Sequence, residues 1–110
     1  TRRLGLVSIP AAYTPTEIAA AIKAGADYVK IFPADDLPRG YIKALKAPLS
    51  DARLLAVGGV TQTNAKDFLA DGFDGIGVGS NLYCKELITA KNFKALENLA
   101  KEYVSAVKKD

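Results

Sequence analysis

The apolar residues of this chain gather into four short runs, "LGLVSI", "YVKIFP", "RLLAVGGV" and "GIGVGS", which begin about 22 to 25 residues apart. Each is nearly continuous in apolar character rather than alternating, as expected of parallel strands covered on both faces. Between the runs the spacing changes to that of helices. "TPTEIAAAIKAGA" carries its own start and stop, with Thr14 as N-cap, Pro15 at the first helical position, Glu17 closing a capping box and Gly25 as C-cap. "GYIKALKAPL" predicts a shorter helix ended by Pro48. In "TQTNAKDFLADGF", Thr61 or Thr63 can cap and Gly72 can stop. The last stretch, "NFKALENLAKEYVSAVKK", puts Phe93, Leu96, Leu99, Tyr103 and Val107 on one face, with lysines near its end where they favour the helix dipole.

A faint repeat runs through this order. "AGADYVKIF" and "DGFDGIGVG" align Gly25 with Gly72 and Asp27 with Asp74, so a glycine ends a helix and a short turn enters a strand. The simplest meaning is turn chemistry between helix and strand. Repeated strand–helix units without a linker predict one α/β domain over residues 1–110. Four units fit either a small doubly wound sheet or one half of a (β/α)8 barrel, and periodicity alone does not choose.

Composition narrows the class. Of 110 residues, 49% are apolar and 25% charged, the balance of a globular protein. The net charge of +3 comes from Lys and Arg interleaved with Asp and Glu; only "TRR" and "KK" cluster, which speaks against a nucleic-acid partner. The single cysteine, Cys84, cannot close an internal disulfide, and without histidine to activate it, it is expected to be a small buried hydrophobe. No apolar run approaches the roughly 18 residues of a membrane helix, so no membrane partner is expected. The chain has no methionine, so Thr1 is not a translation start and an upstream segment is expected.

One lysine interrupts a strand pattern. If Lys30 points inward, Tyr28 and Phe32 share its side while Val29 and Ile31 face the helices. An amine among such neighbours is poorly solvated, which favours its neutral, nucleophilic form and suits imine chemistry with a ketone. The bland reading is a strand-edge lysine that snorkels to water. A second feature is paired: "VGGV", with Gly58 and Gly59, and "VGSN", with Gly79 and Ser80, each follow an apolar run and precede a helical one. Such loops bring backbone N–H groups close to a phosphate or carboxylate, and two successive late loops commonly form the phosphate site of barrel enzymes. Asp35 and Asp36 follow the lysine strand and could assist proton transfer, although acids in loops are usually solvated. No group of residues has metal-ligand spacing, and no metal or other cofactor is expected.

At these residues the sequence resembles the 2-keto-3-deoxy-6-phosphogluconate (KDPG) / 4-hydroxy-2-oxoglutarate (KHG) aldolase family, and specifically its carboxyl-terminal half. "IPAAYTPTEIAAAIKAGADYVKIFPAD", "GYIKALKAPLSDARLLAVGGV" and "GIGVGSNLYCKELI" follow three family blocks in order. The resemblance implies an eight-stranded barrel, usually a cytoplasmic trimer, acting on a small 2-oxo acid without a metal. It makes Lys30 the Schiff-base lysine, Phe32 a packing surface for substrate, and Gly58, Gly59, Gly79 and Ser80 the positions near the substrate's phosphate end. The pattern departs at Val57, where threonine is usual, at Asp35, where glutamate is common, and at Ala11, where glycine is common. The family's first four strands, with a general acid/base glutamate, are absent, so a fragment incomplete as a catalyst is expected. Two other readings stay open on the residues: a barrel isomerase or synthase using the loops for phosphate, and a non-catalytic half-barrel that self-associates.

Overall fold

In the computed structural model, which describes residues 1–108, β1 (Ala11–Ala12), β2 (Val29–Ile31), β3 (Leu54–Val57) and β4 (Gly75–Gly77) form one parallel sheet in that order. Helices α1 (Pro15–Lys23), α2 (Tyr41–Lys46) and α3 (Ala65–Ala70) lie between strands, and α4 (Lys85–Thr89) and α5 (Phe93–Val107) follow. Parallel strands that neighbour each other in chain order, joined by crossovers of one hand, send their helices to one face. A doubly wound sheet reverses its order and carries helices on both faces. The order therefore selects the barrel-type arrangement.

Burial follows the two faces. Val29 and Ile31 are 1% and 0% exposed, and with Leu54 and Ala56 they meet Ile18, Ile42, Leu45 and Ala65 in the core. The cross-strand row Ala12, Ile31, Ala56 and Ile76 belongs to this side. The adjacent row, Ala11, Lys30, Leu55 and Gly75, faces the other way and is covered by no further layer among the described residues.

The α1 start forms as its sequence dictates. Glu17 N–H donates to Thr14 Oγ1 at 3.3 Å, and Thr14 N–H donates back to Glu17 Oε1 at 3.0 Å. The Thr14 hydroxyl, donating to Glu17 Oε1 at 2.8 Å, and the Thr14 N–H hold the Glu17 carboxyl below its ordinary range. At the other end Ala24 is the C-cap and Gly25, at φ 96°, is the residue after it. Gly25 N–H reaches Ile22 O and Ala26 N–H reaches Ala21 O, closing a Schellman motif. Gly72 repeats this at the end of α3, with Gly72 N–H on Leu69 O and Phe73 N–H on Phe68 O.

The repeated aspartates have a definite structural job. Asp27 N–H donates to Ser8 O at 2.9 Å, and Ser8 N–H donates to Asp27 Oδ2 at 2.7 Å. Asp74 treats Leu54 in the same way, at 2.8 Å in both directions. Each aspartate thus clamps the start of the preceding strand. Lys46 Nζ adds an ion pair to Asp74 at 2.6 Å, and Arg2 lies 3.8 Å from Asp27.

Three expectations need correction. The first strand does not lie on "LGLVSI": Arg2–Leu4 form a 3-10 turn, and Leu4, Leu6, Val7 and Ile9 are exposed. Pro10 has no N–H to donate, so only the Ser8 and Pro10 carbonyls pair with the β2 side before the ladder begins at Ala11. On α5, Leu99, Tyr103 and Val107 pack on the core, but Phe93 is exposed because the packed face starts a turn later. Of the lysines expected at its end, Lys108 is the C-cap and Lys109 lies outside the described residues. Cys84 is half-buried rather than buried, at the N-cap of α4, a five-residue helix too short to show a period in sequence.

Removing the Asp74 clamp should leave the Leu54 N–H without an acceptor. Asp74→Ala is expected to cost about 1–3 kcal/mol, read as a lower urea midpoint at unchanged slope. Tyr103 behaves oppositely. Its hydroxyl is buried without a hydrogen-bond partner, the Gln62 backbone being close but outside bonding geometry. Burial pushes its phenol above the ordinary range, and Cys84 pushes it the same way. Tyr103→Phe should therefore match or exceed the parent by up to about 1 kcal/mol in the same titration.

Candidate active site

Strand β2 aims Lys30 onto the open face. The period of two that buries Val29 and Ile31 leaves Lys30 half-buried between its cross-strand neighbours Ala11 and Leu55. Its ammonium sits 5.1 Å from the centre of the Phe32 ring, within cation–π range. The dry surrounding expected for this amine is half present: Phe32 and the cross-strand neighbours Ala11 and Leu55 are apolar, and the side chain is half-buried. Tyr28 shares this side, with Arg53 5.9 Å from its ring.

The two glycine loops converge. A cavity of about 190 Å³ opens between them, lined by Gly58, Gly59, Gly79 and Ser80 together with Phe32 and Asn81. Five of the six residues that the family resemblance assigns to the site thus meet in one place. Lys30 does not line the cavity; Phe32 joins them, with one side of its neighbourhood at the cavity and its ring beneath the amine. Val57 also lines it, and contributes no hydroxyl there.

Glycine is required at this turn. Gly58 and Gly59 have φ of 103° and 71°, the left-handed half of backbone space. A Cβ on Gly58 would crowd the Phe32 ring at 3.1 Å, and one on Gly59 would overlap the Asp35 carboxylate. Asp35 therefore packs behind the turn rather than into the cavity, and lines a neighbouring cleft with Arg39, Asn64 and Asp67. Asp36 is exposed. On β4, Gly75 and Gly77 lie under the Leu55 and Val57 side chains, which a Cβ would meet at 2.9 and 2.8 Å.

Two residues that sequence reading did not single out hold the loops. Asn81 Nδ2 donates to Val60 O at 2.9 Å, tying one loop to the other. Asn64 Nδ2 donates to Gly59 O at 2.8 Å, while its Oδ1 accepts the Thr61 N–H at 2.7 Å. Asn64 is also the N-cap of α3, and its N–H reaches Thr61 Oγ1 at 3.2 Å. The expected Thr61 cap thus acts one turn early, and Thr63 only meets the Thr61 hydroxyl at 2.9 Å. An asparagine three residues after a threonine is a visible capping signal; the reach of Asn81 across 21 residues is not.

The family model for KDPG and KHG aldolase matches residues 3–99. The chain belongs to this aldolase family. A probable 2-dehydro-3-deoxy-6-phosphogalactonate aldolase of Rhizobium meliloti (strain 1021) is 45% identical over 80 residues, 72% of this chain and 38% of the relative. The 2-dehydro-3-deoxy-6-phosphogalactonate aldolase of Escherichia coli (strain K12) is 46% identical over 80 residues, 72% of this chain and 39% of the relative. A solved structure described as "Native KDPGal structure" superposes with a TM-score of 0.77 at 39% identity, covering 94% of this chain and 50% of that one. The fold is thus part of a TIM-barrel aldolase, and the chain spans about two fifths of the length of the curated relatives it matches.

The fit of Asp35 behind Gly59 is testable by a double-mutant cycle. Gly59→Ala should be destabilising both through its left-handed backbone, by roughly 1–2 kcal/mol, and through overlap with Asp35. Asp35→Ala should recover the overlap share only, so the two substitutions should couple by about 0.5 kcal/mol or more in urea titrations. Strictly additive costs would show that the two groups do not touch.

Proposed function

We propose that this chain is the lysine-bearing, carboxyl-terminal half of a class I aldolase that cleaves a 2-oxo-4-hydroxy acid to pyruvate and an aldehyde. The observation that carries the reading is the Phe32 bridge, which joins the Lys30 amine to a cavity walled by glycine-loop backbone. One end can attack a ketone; the other can receive an oxyanion.

Lys30 in its neutral form adds to the C2 carbonyl, and loss of water gives a protonated imine. Loss of the proton from the C4 hydroxyl then breaks the C3–C4 bond. The electron pair moves into the iminium, the C4 fragment leaves as an aldehyde, and an enamine remains. Protonation at C3 and hydrolysis release pyruvate and restore the amine. Phe32 packs against the substrate chain. Gly58, Gly59, Gly79 and Ser80 receive the substrate's far end through N–H groups and a hydroxyl. The names of the relatives support a 2-oxo-3-deoxy acid bearing a 6-phosphate.

The base for the C4 hydroxyl is not among these residues. By the family resemblance it is a glutamate of the first four strands, which would also cover the open face of this sheet and complete the dry pocket around Lys30. The family's trimer and cytoplasmic location belong to the same reading. Among the described residues, no helix is long and apolar enough to cross a membrane.

Borohydride trapping tests the central step. Incubated with pyruvate and reductant, the full-length protein carrying this chain should gain one adduct that peptide mapping places on Lys30, and Lys30→Ala should gain none. No adduct, or an adduct on another lysine, would overturn the reading.

A further inference from the structure

Two consecutive glycines at positive φ leave the turn after β3 with little intrinsic hold on its peptide planes. The next two carbonyls, those of Gly59 and Val60, are nevertheless fixed, and by side chains from different elements. Asn64 grips the turn from the helix side, donating to Gly59 O and accepting from Thr61 N–H. Asn81 grips it from the facing loop, donating to Val60 O.

A planar trans peptide points its N–H opposite to its C=O. Turning the Gly59 carbonyl toward Asn64 therefore sends the Val60 N–H the other way. The next peptide turns its Val60 carbonyl to Asn81 and its Thr61 N–H to Asn64, so the two asparagines lie on opposite sides of the turn and the Val60 N–H is on the Asn81 side. Asn81 and Val60 line the cavity and Asn64 does not. Among the described residues, no acceptor takes the N–H of Gly59, Val60, Gly79 or Ser80. The Val60 carbonyl, at the cavity wall, has one of its two lone pairs engaged by the Asn81 amide. Left free, that oxygen would repel an anion at close range.

We propose that Asn64 and Asn81 are positioning residues of this cavity, holding the Gly59 and Val60 carbonyls so that N–H groups rather than carbonyl lone pairs meet a bound phosphate. The role rests on the phosphate reading given above. Asn81 carries the greater share, because among the described residues its side chain is the one that bonds from one loop to the other.

Titration of the full-length protein carrying this chain with inorganic phosphate, followed by amide chemical shifts, tests this. In the unsubstituted protein the Gly59, Val60, Gly79 and Ser80 amides and the Asn81 side-chain amide should shift with one shared phosphate dependence. Asn81→Asp, similar in size but without the donor, should weaken binding at least tenfold. Asn81→Ser, which adds no charge, should do so several-fold at an unfolding midpoint close to the parent's. In the full-length protein the Asn81→Ser loss should fall on KM for a phosphorylated 2-oxo acid more than on kcat. No phosphate-dependent shift in the unsubstituted protein would remove the phosphate reading and this role with it. Binding that survives the Asn81 substitutions within twofold would remove the positioning role alone, as would an Asn81 side-chain amide that ignores phosphate in the unsubstituted protein.

Discussion

The placement of Lys30 on the open face depends on the period-two alternation of β2 being held in register. Shifting that strand by one residue would turn Lys30 into the helix layer and expose Val29 and Ile31. Two devices oppose the slip. Burial of the Ile31 row against the helices rewards one phase, and the aspartate clamps fix where the strand pairs begin. The clamps join β1 to β2 and β3 to β4, so the sheet is built as two stapled pairs meeting at the β2–β3 ladder. Lys30 stands at that meeting, with a clamp on each side.

Local sequence exposed much of this. The α1 capping box, the glycines after α1 and α3, and the facing of Lys30 and Phe32 away from Val29 and Ile31 all follow from spacing and turn chemistry. The repeat Gly-x-Asp also held its bland meaning, since both aspartates bond backbone. What local pattern could not separate was two kinds of apolar run. "LGLVSI" is as hydrophobic as "YVKIF", yet it lies exposed at an edge, while the ladder starts beyond Pro10. Hydrophobicity reports that a segment is to be covered, not which neighbour covers it.

The cavity was legible in a different degree. Glycine pairs after apolar runs marked the two loops, and the sheet brings those loops together because β3 and β4 are neighbours. The asparagines escaped notice because their work is visible only once the loops are adjacent. Asp35 is the converse case. Its place directly after the lysine strand suggested a part in proton transfer, whereas the fold sets its carboxylate behind Gly59, on the far side of the turn from the cavity.

The bare strip along β4 has a consequence for how such a pocket can change. With hydrogen alone at Gly75 and Gly77, the floor beside the glycine loops is upholstered by Leu55 and Val57 leaning over from the next strand. Depth and polarity there are set from a single strand, while the backbone ladder beneath carries no side chain that must adjust. A lineage could thus retune which molecules the hollow admits by altering one or two β3 residues, leaving the architecture that aims the amine untouched.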